Sequence, residues 1–152
     1  MAKVMKSLLA ASVAMATFAF GAQADAQQQE QTSPYVQAVI DQLSALVPAM
    51  AQQGYPNYEV VGFNAINNGA TETVNYTAQD GSDVVFVAVC DTDCSNLDLR
   101  VRRGGGVIGE DVLADDVPVV PVSSTARPLS LDVIMTTCSQ NPCVYGVAVF
   151  RR

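Results

Sequence analysis

The chain changes its hydrophobic period at Tyr55. Before that point Val36, Val39, Ile40, Leu43, Leu46, Val47 and Met50 recur at spacings of three and four, which puts them on one face of a helix. Ser33 suits the N-cap and Pro34 the first helical position, while Gly54 and Pro56 stop the pattern, so a helix is predicted over 34–54. Pro48 lies inside the stripe, where its missing N–H predicts a kink or a shortened last turn. Such a stripe is ordinary for a helix laid on its own domain; a partner-binding or dimerising helix is the alternative.

After Tyr55 the period is two. Strands are predicted at 58–66, 70–78, 83–90, 97–103, 107–112, 117–122, 129–137 and 143–151. Turn residues fall between them: Asn67-Asn68-Gly69, Gln79-Asp80-Gly81 and Gly104-Gly105-Gly106. Leu129, Leu131, Val133 and Met135 alternate with Ser130, Asp132 and Thr136, and Leu97, Leu99 and Val101 alternate with Asp98, Arg100 and Arg102. Those two strands each have one wet face. Val84–Val89 is apolar on both faces, as for a central strand whose second face is also covered, and the helix can supply that cover. The fold class predicted is mainly β: an antiparallel, jelly-roll-like β-sandwich of about eight strands over 55–152, preceded by one amphipathic helix.

The first residues carry a different pattern. Lys3 and Lys6 precede an apolar run, Leu8–Phe20, and Ala22-Gln23-Ala24 and Ala24-Asp25-Ala26 are both small-x-small cleavage sites. This reads as a secretory signal peptide over 1–26, since the run is shorter than the roughly 20 residues that span a bilayer. Residues 27–33 begin QQQEQT and have little to bury, which predicts a flexible arm. The expected location is periplasmic or secreted, with no membrane span after cleavage.

Export makes the four cysteines informative. In an oxidising compartment they imply two disulfides, with three possible pairings. Cys90–Cys94 and Cys138–Cys143 are favoured because each closes a short loop between consecutive strands, where a Cα separation of about 5.5–6 Å is within reach. Crossed pairings remain open if both loops share one end of the sandwich. A four-thiolate zinc site is the competing reading, but structural zinc pairs more often have two residues between cysteines.

The full chain carries 8 basic and 15 acidic residues, a net charge of −7. Cleavage after Ala26 removes Lys3, Lys6 and Asp25, leaving six arginines against 14 acids, a net −8. That balance argues against nucleic acid as a partner, whose binding rests on Lys and Arg. There is no histidine anywhere and no lysine after Lys6, so Ser-His-Asp, Cys-His, Ser-Lys and Schiff-base chemistry are excluded in their usual forms. An acid-pair hydrolase is the enzyme alternative, but nothing in the sequence marks its cleft. Arg100, Arg102, Arg103, Arg127, Arg151 and Arg152 suggest either an anion patch or, more simply, a strand face paired with nearby acids. Asp91, Asp93, Asn96 and Asp98 form one acidic cluster and Glu110, Asp111, Asp115 and Asp116 a second. Both read as turn acids bonding nearby backbone N–H groups, with calcium binding as the alternative.

One resemblance adds to this. Val85-Phe86-Val87-Ala88-Val89-Cys90-Asp91, Cys94-Ser95-Asn96-Leu97-Asp98-Leu99, Asp111, Asp115-Asp116 with Pro118, and Cys138–Cys143 leading into Tyr145-Gly146-Val147 carry it. Over residues 70–152 the chain resembles the bacterial pre-peptidase C-terminal domains, jelly-roll sandwiches usually appended to secreted proteases. The resemblance implies a non-catalytic module. It also implies Asp91, Asp93, Asp98, Asp115 and Asp116 as calcium candidates, since acids near the matching positions bind calcium in some members. Two positions depart from the family: Ala126-Arg127-Pro128-Leu129 replaces a Gly-x-Tyr, and Gly104–Gly106 replaces an Asn-Gly turn. The function expected is a secreted or periplasmic non-catalytic module without a cofactor, or with calcium alone, that binds an envelope or extracellular protein or polysaccharide.

Overall fold

The computed structural model describes residues 32–77, 81–123 and 128–152. The signal segment, residues 27–31 of the arm, Gln79-Asp80, and Ala126 and Arg127 lie outside the described residues. One helix precedes eight strands: α1 (Pro34–Gln52), β1 (Asn57–Ile66), β2 (Thr71–Tyr76), β3 (Val84–Cys90), β4 (Cys94–Arg103), β5 (Gly106–Asp111), β6 (Val119–Val122), β7 (Leu129–Cys138) and β8 (Cys143–Arg151).

The strands form two antiparallel four-stranded sheets, sheet A in the order β1-β8-β3-β6 and sheet B in the order β2-β7-β4-β5. The pairs β1/β8, β2/β7 and β4/β5 join strands equally far from the middle of the strand sequence, as does β3/β6. That is a long eight-stranded hairpin rolled over on itself, closed by β3/β8 and β4/β7. The jelly roll expected from the sequence is therefore the observed topology.

The core between the sheets follows the alternation. Val84, Phe86, Ala88, Tyr145, Val147 and Val149 of sheet A meet Leu97, Leu99, Val101, Leu131, Val133 and Met135 of sheet B. Tyr76 packs edge-to-face on Phe86 with ring centroids 5.3 Å apart. The opposite face of β3 is covered by α1: Val39, Leu43 and Met50 pack with Val85, Val87, Val89, Ala148 and Phe150. β3 is buried along its whole length for this reason.

Local signals place the turns. Gly104 and Gly105 have φ of 57° and 86°, the left-handed conformation that a two-residue hairpin turn between β4 and β5 demands at both central positions. α1 ends in a Schellman motif: Gly54 at φ 90° donates its N–H to the Ala51 carbonyl at 3.1 Å, and Tyr55 donates to Met50 at 3.0 Å. Pro48 is accommodated within α1, which runs on to Gln52. Ser33 occupies the N-cap position, but its side chain makes no capping bond; the first-turn contact is Gln37 N–H to the Ser33 carbonyl at 2.9 Å.

Candidate functional site

Three surfaces of this sandwich bear on function: the cross-linked tip, the outer face of sheet B and the outer face of sheet A. The tip joins β3 to β4 and β7 to β8. Cys90–Cys94 and Cys138–Cys143 are both disulfides, each with Cα atoms 5.9 Å apart, and among the described residues no cysteine is free. The favoured pairing is therefore the one present, and the thiolates a zinc site needs are consumed. Both bridges lie at the same end of the sandwich, with Cys94 opposite Cys138 across β4 and β7.

Asp91 organises that end. Its side chain is 2% exposed, and its two carboxylate oxygens accept from the Asp93 N–H at 3.1 Å and the Val144 N–H at 2.6 Å. One carboxylate thus ties its own turn to β8, beside both disulfides. Asp93 continues the tie: its carbonyl accepts from the Ser139 N–H at 2.8 Å and the Ser139 hydroxyl at 3.0 Å. Asn68, in the β1–β2 turn, accepts from the Cys138 N–H at 2.8 Å and donates its own N–H to Asn141 at 2.6 Å. The Gln42 side chain reaches from α1 to the Cys90 carbonyl at 2.7 Å. The tip is a closed network in which polar groups satisfy one another.

The five calcium candidates do not converge there. Asp91 and Asp93 serve the tip. Asp115 accepts from the Val117 N–H at 3.1 Å within its own loop, and Asp116 follows it. Asp98 sits on the outer face of β4, opposite Ile134, with one carboxylate oxygen buried and unpartnered. Among the described residues no three His, Cys, Asp or Glu side chains group as metal ligands. The donor set needed by calcium, six to eight oxygens around one point, is not assembled from these side chains. Asp111 instead clamps the following loop, accepting from the Leu113 N–H at 3.3 Å and the Val119 N–H at 2.9 Å. This turn-acid role matches the simpler reading of the second cluster.

The outer face of sheet B is mostly polar over β2, β4 and β7, while its edge strand β5 exposes Val107 and Ile108. Arg102 donates to Asp132 at 2.6 Å, Thr73 donates to the other Asp132 oxygen at 2.9 Å, and Arg100 pairs with Glu110 at 2.8 Å. Burial raises the Asp132 carboxyl, but the hydrogen bonds from Arg102 and Thr73 and the nearby positive charges outweigh it and hold the group below its usual range. These arginines form a strand face paired with acids, not an anion patch; Arg127 lies outside the described residues.

The outer face of sheet A is apolar. Ile40, Tyr58, Val60, Phe63 and Val119 are each 40–49% exposed. A groove of about 180 Å³ runs between α1 and β1, bordered by Ile40, Leu43, Tyr58, Val60 and Phe63. On the other side of the helix a groove of about 430 Å³ is bordered by Leu46, Met50, Tyr55, Val87, Val119 and Pro121. Sequence reasoning missed the β1 part of this face. A β-bulge between Val60 and Gly62 shifts the register against β8, and it lets Tyr58, Val60, Phe63 and Ala65 share one face across a break in alternation. The signal was the phase change itself in Tyr-Glu-Val-Val-Gly-Phe-Asn-Ala.

A third cavity, about 640 Å³ and polar, opens where Glu59, Asn75, Thr77 and Arg151 meet at the end opposite the tip. Glu59 and Arg151 pair there at 3.4 Å. Deeper between β1 and β2, Asn64 donates to both Glu72 oxygens at 3.1 and 2.9 Å. Burial pushes the Tyr145 hydroxyl above the ordinary phenol range, and the Glu72 carboxylate beside it adds to the shift. That geometry suits a neutral phenol locked in a core, since a general base needs a pKa near the working pH. The chain matches no protein-family model, and no curated protein matches its sequence. Among the described residues no helix is long and apolar enough to cross a membrane.

Proposed function

We propose that this protein is an exported, non-catalytic module that docks an envelope or extracellular protein on the helix-bearing face of sheet A. One observation carries the reading: that face bears more apolar surface than its own helix covers. A helix is about 10 Å across. Four strands spaced about 4.8 Å apart span nearly twice that width. α1 lies mainly over β8 and β3, and the edge strands β1 and β6 flank it across grooves that leave their outer residues partly exposed. Their outer residues Tyr58, Val60, Phe63 and Val119 are nevertheless apolar, where the β2, β4 and β7 strands of sheet B place arginine, aspartate and threonine outward. Exposed apolar surface on both flanks of the helix, larger on the β1 side, suits a docking face. Its aliphatic and aromatic make-up favours a protein surface over a polysaccharide. Export is supported by the signal-peptide pattern and by two disulfides.

A photo-crosslinking residue placed at Phe63, and separately at Thr73 on sheet B, tests this in cells that export the protein. Adducts are expected from position 63 and not from position 73. No adduct at 63, or equal yields at both, overturns the assignment.

A further inference from the structure

We infer that one occupant of this face is a second copy of the chain, paired antiparallel along the free edge of β1; the inference rests on the docking face proposed above and names its partner. The argument starts from the four edge strands. β6 is four residues long, contains Pro121 and follows Pro118, so it is a poor template. β5 ends in Glu110 and Asp111, and its register against β4 is broken beside Arg102. β2 turns Thr71, Thr73 and Asn75 outward, exposed and polar. β1 is ten residues long with no proline and no lysine, and among the described residues it pairs only with β8.

The bulge at Val61 selects the segment. Beyond it Gly62–Ile66, Gly-Phe-Asn-Ala-Ile, is uncharged. The one charge on β1, Glu59, lies on the other side of the bulge and is already paired with Arg151. A two-fold axis at Asn64 sets Phe63 of each copy opposite Ala65 of the other on the outer face. A large side chain then meets a small one twice on the outer face, and the paired segments themselves carry no charge. The acidity of the chain opposes self-pairing, and a neutral segment is where that opposition is least. At the net −8 left after cleavage two copies repel through solvent, so contact is best made through a segment that carries no charge.

Sedimentation velocity on the purified exported chain, across a concentration series, tests the assignment. The expected result is a concentration-dependent species of twice the chain mass that strengthens as salt is added, because screening relieves the repulsion. Ala65 is exposed, so Ala65→Lys and Ala65→Glu leave the monomer folded while placing like charges on diagonal cross-strand neighbours. Each variant alone should sediment as a monomer, and an equimolar mixture should restore the double-mass species. A single-mass species at every concentration overturns the inference, as does a dimer that survives in both variants. A monomer that still crosslinks another protein through position 63 removes the second copy and leaves the docking face standing.

Discussion

Asp91→Ala is the substitution whose cost the structure fixes best. The carboxylate accepts two backbone N–H groups, from Asp93 and Val144, and is itself buried at 2% exposure. Alanine removes both acceptors and offers nothing in their place. A backbone donor left without a partner in a buried setting costs about 1–3 kcal/mol. Both donors here are partly buried, so the lower half of that range applies to each, and the total is about 2–4 kcal/mol. For a domain of this size each kcal/mol lowers Tm by about 3–6 °C, giving a drop of roughly 6–24 °C. Urea unfolding followed by circular dichroism, with both disulfides intact, measures it directly. Asp91→Asn retains one acceptor oxygen and should fall between wild type and alanine. Asp93→Ala is the control: its carbonyl ties survive, and only a 3.4 Å contact from the Gln140 side chain is lost. If Asp91→Ala unfolds within 1 kcal/mol of Asp93→Ala, the buried carboxylate does not organise the tip.

Three further outcomes follow from the same structure. Gly146 sits where a Cβ would lie 2.8 Å from Val39 and 2.9 Å from Leu43, so Gly146→Val should push α1 off β8 and cost about 1–3 kcal/mol by overpacking, read as loss of urea stability together with faster amide exchange in α1; exchange in α1 as slow as in wild type would refute it. The raised Tyr145 pKa means that the unfolded chain gives up this proton first, so its stabilising effect is complete below about pH 10 and declines as pH climbs above that value; Tyr145→Phe should flatten the alkaline limb of a stability–pH curve, and parallel limbs would count against the assignment. Because the five aspartates do not converge, a chelator or millimolar calcium should leave Tm unchanged, and a calcium-dependent rise abolished by Asp98→Ala would show that the ligands assemble differently.

Periodic patterns made most of the fold legible. The helix stripe, the eight strands and the doubly apolar character of Val84–Val89 are properties of consecutive residues, and all appear where the period places them. The disulfides were legible because both pairs bracket turns between strands adjacent in sequence. The strand order was not, because β1/β8 and β2/β7 join segments far apart in the chain, and no local signal encodes such pairs. Asp91 was read as a turn acid or a calcium ligand. The turn-acid reading holds for its bond to Asp93, but the second bond, to Val144, crosses to a different strand and is invisible to spacing. Ser33 shows the opposite failure: the residue type suited a cap, and the chain approaches the helix so that its hydroxyl is not used.

The contrast between β1 and β7 shows why the apolar edge is more than leftover core. β7 is central in sheet B and has no helix over it, and it alternates faithfully, with Leu131, Val133 and Met135 inside and Ser130 and Asp132 outside. Solvent on one face is enough to select that alternation. β1 also meets solvent on its outer face, beside a helix that covers it only in part, so the same selection should have favoured polar residues at 58, 60 and 63. It holds Tyr, Val and Phe there, and a bulge restores the apolar phase after Val61 slips inward. Burial against its own chain covers only part of them, since each keeps at least 40% of its surface exposed. Tyr58 does stack on Phe150 at 5.9 Å, which explains part of one ring and neither of the other two residues. Aggregation hazard is the general cost of an apolar edge, and proteins that tolerate such an edge usually have something to cover it. Covering β1 with a matching β1 removes the unpaired backbone and the exposed rings in one contact, whereas covering the groove beside α1 alone leaves the backbone edge open.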